Sequence, residues 1–278
     1  MIIPRQTQTG ADVAGHYDEL DTVYREMWGE HVHHGLWRTG RETVREATDA
    51  LIDMVAARLA LAAGDRLCDI GCGYGASAAR IAAAHGVHIT GVTLSARQLA
   101  VAEKRAGALT FLRRDWLANG FADASFDAAY AIESSEHMTD KPLFFAEAWR
   151  TLRPGGRLVV CAWLARTGAG RFEIDHLLEP ICREGRLPGM GTREEYMAMA
   201  TSAGFVVESY EDISRKVRRT WTICAARFAG AVLTRPDYLR LVASPRARNR
   251  SFALSVPRLI AAYGTGAMRY GVLVLRKP

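Results

Sequence analysis

Arg66-Leu-Cys-Asp-Ile-Gly-Cys-Gly-Tyr-Gly75 is the stretch whose reading decides the fold. Residues 67–70 form a short apolar run suited to a buried strand, three alternate glycines follow, and residues 76–85 read as an alanine-rich helix. A strand, a glycine turn and a helix N-terminus in succession make a nucleotide site. Glycine lets the backbone approach a ligand closely, and the helix end presents unpaired N–H groups. Gly71, Gly73 and Ala76 satisfy the dinucleotide spacing with its permitted final alanine. That fingerprint also needs an acidic residue about 20 positions further on to grip a ribose. Residues 81–102 contain no Asp or Glu, which speaks against a nicotinamide or flavin. Asp69 stands two residues before the first glycine, where a carboxylate can hold an ammonium group directly or through solvent.

The chain outside this stretch is that of an ordinary folded protein. Its 278 residues are 49% hydrophobic and 24% charged, enough for one large α/β domain or a core with a cap. No apolar run approaches the length of a membrane span and no signal-peptide pattern opens the chain, so stable membrane insertion is not expected. The five cysteines (68, 72, 161, 182 and 224) are scattered, and Cys68 and Cys72 are four apart, so neither zinc nor a disulfide framework is indicated. A cytoplasmic setting follows. The net charge of +6 concentrates in residues 215–219 and 246–250. Without interleaved aromatics or a nucleic-acid module these runs read as solvated helix faces, so no nucleic-acid partner is expected. A homodimer stays open.

Along the chain, residues 12–37 are rich in aromatics and histidines. Tyr17, Tyr24 and Trp28 recur at near-helical spacing, as one helix face would place them. Such a helix serves either as a lid over ligands or as core packing. His31, His33 and His34 lack companions at ligand spacing, so no metal is expected. Residues 42–61 read as a helix and 87–92 as a second strand. Ser95 with Gln98 forms a capping box for the next helix. Residues 110–113 give a third strand followed by Asp115-Trp116, and residues 126–132 a fourth followed by Glu133-Ser-Ser-Glu136-His137. A helix over 141–152 leads through Arg153-Pro-Gly-Gly156 into a strand over 157–163. Helix 192–203, a strand over 205–213, a helical insertion over 216–263 and a final strand over 270–275 complete an α/β pattern. In a doubly wound sheet the strand ends line one crevice. The expected division is an N-terminal helical lid (1–40), a Rossmann-like core (41–165), and the rest of the sheet with a helical substrate cap (166–278).

The Asp-x-Gly-x-Gly-x-Gly turn resembles the first motif of class I methyltransferases, which bind S-adenosylmethionine. Four further stretches narrow the likeness: Trp28-Gly-Glu-His-Val-His-His-Gly35, Gly91-Val-Thr-Leu-Ser95, Ile132-Glu-Ser-Ser-Glu-His-Met138, and the tail from Val256-Pro-Arg-Leu-Ile260 to Arg276-Lys-Pro278. Together they resemble the γ-tocopherol C-methyltransferases and related plant alkaloid N-methyltransferases from about Tyr17 onward. The resemblance implies a seven-stranded Rossmann-like sheet and methyl transfer from S-adenosylmethionine to a lipophilic or aromatic small molecule, on carbon or nitrogen and conceivably oxygen. Asp69, Gly71 and Gly73 would then shape the methionine end, Thr93, Leu94 and Gln98 the ribose, and Asp115 and Trp116 the adenine. Glu136 and His137 would position and deprotonate the acceptor with Glu133 beside them, and Tyr17, Tyr24 and Trp37 would line the acceptor pocket. The alternatives are a cyclopropane-synthase-like enzyme acting on lipid acyl chains and a non-catalytic binder of donor or ligand.

Overall fold

A seven-stranded sheet ordered β3-β2-β1-β4-β5-β7-β6 forms the centre of a computed structural model that describes residues 1–105, 107–236, 238 and 250–278. Its strands are β1 (Arg66–Ile70), β2 (His88–Thr93), β3 (Leu109–Arg113), β4 (Phe126–Ile132), β5 (Leu152–Ala165), β6 (Val206–Asp212) and β7 (Met268–Arg276). The first five run parallel, while β7 is antiparallel to β5 and β6. Three helices lie before β1: α1 (Gly10–Glu19), α2 (Asp21–Met27) and α3 (Val44–Leu59). Parallel neighbours require crossovers, here α4 (Ala76–His85), α5 (Ala96–Ala102) and α6 (Lys141–Thr151).

Both faces of the sheet are covered, which is why Leu67, Cys68, Asp69 and Ile70 are all buried. Alternate β5 residues serve the two cores. Val159 and Cys161 join Leu51, Val55 and Ile81 of α3 and α4, while Val160 and Ala162 join Phe144, Phe145 and Tyr196 on the other face. The α3 helix starts where its sequence says, with Thr43 and Glu46 forming a reciprocal capping box.

Several expectations need correction. The aromatic face is split, because the helix breaks at Leu20 and Tyr17 lies on α1 while Tyr24 lies on α2. The Ser95–Gln98 box is half formed. Ser95 accepts from the Gln98 backbone N–H, but the Gln98 carboxamide oxygen accepts from the Thr93 hydroxyl instead. Strand β5 begins at Leu152, with its register shifted where it meets β4. Of the second basic run, residues 246–249 lie outside the described residues. The first is exposed, and Lys216 pairs with Glu211. Among the described residues no helix is long and apolar enough to cross a membrane.

Strand β1 has β2 on one side and β4 on the other, so the strand order reverses there and a crevice opens beyond their carboxyl ends. Gly71 leaves β1 with φ +84°, and an added Cβ would run into the Ser134 side chain just past β4. The two turns are in contact, and glycine is what permits it. The α1–α2 segment closes over this crevice. Asp18 accepts from the Ser95 hydroxyl and from the Arg97 N–H at 3.3 Å, and the Asp21 carboxylate accepts from the Tyr74 hydroxyl at 2.7 Å.

Candidate active site

Two cavities meet in the crevice. The first is lined by Gly71 and Gly73 after β1, by Thr93, Leu94 and Gln98 after β2, and by Asp115 and Trp116 after β3. The three motif glycines have different duties. Gly71 clears Ser134, and Gly75 packs so closely that a Cβ would press on the Phe111 ring. Gly73 has φ +53°, and a Cβ there would find only the Gln98 amide nitrogen at 4.0 Å. That open face is a backbone cradle on the cavity side. The Gln98 oxygen is taken by Thr93 at 2.8 Å, which turns its NH2 toward the same space. Asp115 also caps the short turn Trp116–Ala118, accepting from the Leu117 N–H at 2.9 Å.

The second cavity is walled by the rings of Tyr17, Tyr24, Trp28, Trp163 and Trp221, with Glu136 and His34 among its polar groups. Among the described residues no lysine or arginine lines it. Tyr17, Val32, Glu133 and His137 line both cavities and therefore mark their junction. The space inside is about 40 Å³, room for one or two waters.

Glu133 is the structural centre of the second cavity. Its side chain is 6% exposed. One carboxylate oxygen accepts from the His34 backbone N–H (2.6 Å) and the Tyr270 hydroxyl (2.8 Å). The other accepts from His34 Nδ1 (2.9 Å) and the Trp163 indole N–H (2.8 Å). Burial alone would raise its pKa. The electrostatic attraction and hydrogen bonds that the His34 ring N–H and backbone N–H direct at it, with a smaller contribution from His33, outweigh burial and hold it down at about 2. Four donors also explain how this residue sustains a backbone φ of +53°, a conformation that costs a non-glycine residue about 1 kcal/mol.

Glu136 is 1% exposed and accepts the Trp163 backbone N–H at 2.6 Å and the Ser135 hydroxyl at 3.2 Å. Burial prevails here and pushes its pKa up to about 7. His137 Nε2 lies 2.9 Å from the Tyr17 hydroxyl. Burial first, and then the charge of His16, push its pKa down to about 3, so its ring stays neutral. Lys141 is spent on structure, donating to the Glu136 and Met138 carbonyls at 3.1 Å each.

The crevice thus gathers Gly71, Gly73, Thr93, Leu94, Gln98, Asp115, Trp116, Tyr17, Tyr24, Glu133, Glu136 and His137 at the two cavities. Two expected residues lie elsewhere. The Asp69 carboxylate sits behind the glycine turn, accepting from the Tyr130 hydroxyl at 2.8 Å, and burial raises its pKa to about 7. Trp37 lines neither cavity. Its indole N–H donates to the Thr220 hydroxyl at 3.1 Å under the Arg219 guanidinium. Among the described residues no group of three or more His, Cys, Asp or Glu side chains is placed to hold a metal ion. Trp163, Trp221 and Tyr270 were not expected at the site. The position of Trp163 at the carboxyl end of a strand is the one signal that the sequence carried for them.

Comparison with known proteins agrees with this fold. Residues 5–234 match the mycolic acid cyclopropane synthetase family (CMAS). The chain is 35% identical over 277 residues to the 27-O-demethylrifamycin SV methyltransferase of Amycolatopsis mediterranei, covering 97% of this chain and 98% of that one. It is 30% identical over 292 residues to the chloroplastic tocopherol O-methyltransferase of Arabidopsis thaliana, covering 96% and 82%. Among solved structures, the [4+2]-cyclase SpnF is similar with a TM-score of 0.82 at 28% identity, covering 100% and 99%. The mycolic acid cyclopropane synthase CmaA1, complexed with SAH and CTAB, has a TM-score of 0.85 over 98% and 99%, and its 20% identity speaks for the fold alone. The chain therefore belongs to the mycolic acid cyclopropane synthetase family of class I methyltransferases and is a small-molecule methyltransferase dependent on S-adenosylmethionine.

Proposed function

We propose that this enzyme O-methylates an uncharged, apolar or aromatic hydroxyl compound, with the donor in the first cavity and the acceptor in the second. The observation that carries this reading is the junction. Tyr17, Glu133 and His137 border both cavities, so a reacting oxygen and a donor methyl group have one place to meet. The open face of Gly73 suits the amino-acid arm of the donor, Thr93, Leu94 and Gln98 its ribose, and Asp115 and Trp116 its adenine. Asp69 supports the turn from behind rather than touching the donor. S-adenosylmethionine supplies an activated methyl group on a sulfonium centre. The protein contributes alignment and exclusion of water, which account for much of the rate in such displacements.

Glu136 and His137 are the positioning groups for the acceptor. Glu136, with its pKa near 7, presents either an O–H or a carboxylate to the acceptor hydroxyl at neutral pH. His137 is turned by Tyr17. The absence of lysine and arginine from the lining disfavours phosphorylated or carboxylated acceptors, which would enter an aromatic, carboxylate-bearing space without a counter-charge. Oxygen is preferred over carbon or nitrogen because the 27-O-demethylrifamycin SV methyltransferase, similar over 97% of this chain and 98% of its own, carries O-methyl chemistry in its name. Residues 1–40 act as the lid, 41–165 as the donor-binding core, and 166–278 complete the sheet and cap the acceptor.

The test is release of S-adenosylhomocysteine with phenols, hydroquinones, polyketide-like alcohols, amines and phospholipids as acceptors. Methylated product from a neutral hydroxyl compound is expected. Glu136→Gln combined with His137→Ala should lower turnover roughly 100-fold or more while sparing S-adenosylhomocysteine affinity. Product only from phospholipid would move the enzyme to acyl-chain chemistry, and unchanged turnover in the double variant would remove Glu136 and His137 from the site.

A further inference from the structure

We infer that His34, held by Glu133, is the group that takes the proton from the acceptor hydroxyl; this rests on the acceptor reading above. His34 is 1% exposed and lines the acceptor cavity. Its Nδ1 and its backbone N–H both face the Glu133 carboxylate, at 2.9 and 2.6 Å. Its Nε2 is buried and has no hydrogen-bond partner among the described residues. A buried polar nitrogen without a partner costs free energy, so its persistence calls for an explanation in function. The Trp221 indole N–H, on the same cavity wall with its ring centroid 5.3 Å from that of His34, is likewise without a partner. A hydroxyl group offers both a donor and an acceptor and would satisfy the two together.

The carboxylate determines which nitrogen is available. All four Glu133 bonds are accepted from donors, so Nδ1 carries the proton that faces Glu133, and in the neutral ring Nε2 is the nitrogen that holds the lone pair. The ring cannot turn. It meets Trp163, Trp221, Tyr263 and Tyr270 edge-on, with centroids 5.2–5.7 Å away. Only Glu133 among the groups bonded or stacked on the ring carries charge at neutral pH, and it faces the imidazolium that proton uptake creates. This carboxylate–imidazole pair has the logic of a hydrolase dyad, in which the acid orients the ring and the far nitrogen acts as base. His137 is poorly suited to the task, with Nε2 committed to Tyr17 and its basicity suppressed by burial.

In the step itself the acceptor O–H bond breaks with its proton passing to His34 Nε2. The freed oxygen pair forms the bond to the donor methyl carbon, and the S–CH3 pair returns to sulfur. The products are the methyl ether, S-adenosylhomocysteine and one proton, released to solvent when the lid opens.

Two measurements test the assignment. Nitrogen NMR of histidine-labelled protein at pH 7.5 should show His34 protonated on Nδ1 and bare on Nε2. A proton on Nε2, alone or in an imidazolium, overturns the proposal whether or not any acceptor is known. The second measurement uses His34→Gln and His34→Asn with acceptors of graded acidity. Turnover of an ordinary phenol should fall roughly 100-fold or more, whereas a nitrophenol already ionised at the assay pH should lose less than about 5-fold. S-adenosylhomocysteine affinity stays within about 2-fold if the variants fold. An equal loss on both acceptors makes His34 structural and overturns the proposal. If wild type methylates no hydroxyl compound, the acceptor reading fails, and the NMR result still decides the tautomer.

Discussion

The two cavities, proposed above for donor and acceptor, share a crevice but are built on opposite principles. The first is built mostly on glycine turns and strand ends within residues 71–116, with α1 and the turn after β4 supplying its remaining walls. The second is made of side chains drawn from residues 17 to 221, joined through one carboxylate. Their buried acids show the difference. Asp69 behind the donor turn has one partner, the Tyr130 hydroxyl, and its pKa rises with burial. Glu133 has four donors, and its pKa falls despite burial. A donor site can therefore tolerate change in its surroundings, whereas the acceptor site depends on a network in which each member supports the others.

The strongest way to break this contrast is at Glu133. Glu133→Ala leaves His34, Trp163 and Tyr270 without their acceptor, and removing one partner of a buried pair costs about 3–5 kcal/mol. A melting temperature lower by on the order of 10 °C is expected by calorimetry. Asp69→Asn keeps an acceptor for Tyr130 and should cost under about 1 kcal/mol at pH 7. Equal losses at the two positions would erase the distinction.

Backbone geometry gives the next effect. Gly71→Ala places a methyl group against Ser134 at φ +84° and should destabilise by about 2–3 kcal/mol and weaken S-adenosylhomocysteine binding. Gly29 has φ +83° but open space around it, so Gly29→Ala isolates the conformational part, about 1–2 kcal/mol. If the two variants melt together, contact with Ser134 does not matter.

A pH titration of stability sharpens the comparison further. Glu136 and Asp69 each have a folded pKa raised to about 7, so the folded state binds more protons than the unfolded state between the ordinary carboxyl range and pH 7. Their contribution is full at lower pH and is lost as pH rises through about 7. Glu133 has the opposite sign. Its contribution is present above the ordinary carboxyl range and is lost as pH falls toward about 2. Glu136→Gln should flatten the decline between about pH 4 and 7 in part, with Asp69→Asn removing the remainder. A decline of unaltered slope in the double variant would assign it to other groups.

The smallest effect is expected at the junction. Tyr17→Phe removes the hydroxyl facing His137 and should cost about 1 kcal/mol, seen as a several-fold rise in acceptor KM with donor affinity unchanged. A matching loss of donor affinity would mean that α1 closes the donor cavity through this bond.

The sequence by itself determined the sheet and the glycine turn, and of the donor-side residues expected from it all but Asp69 line the first cavity. Strand β4 lies where its apolar run predicts, and Thr192 caps the helix expected over residues 192–203. Those features are local, set by side-chain period, φ preference and hydrogen bonds spanning three residues. Glu133, Glu136 and His137 were legible as chemistry because they follow a strand at the crevice, but not in their separate states. The tertiary structure alone decided that Glu133 is saturated, that Trp37 turns away to Thr220 and that His34 packs against Glu133 with Nε2 buried. Each of those outcomes depends on a partner 99 or more residues away. Contacts at that separation leave no period or spacing in the chain, and burial, which sets the sign of each pKa, exists only after folding.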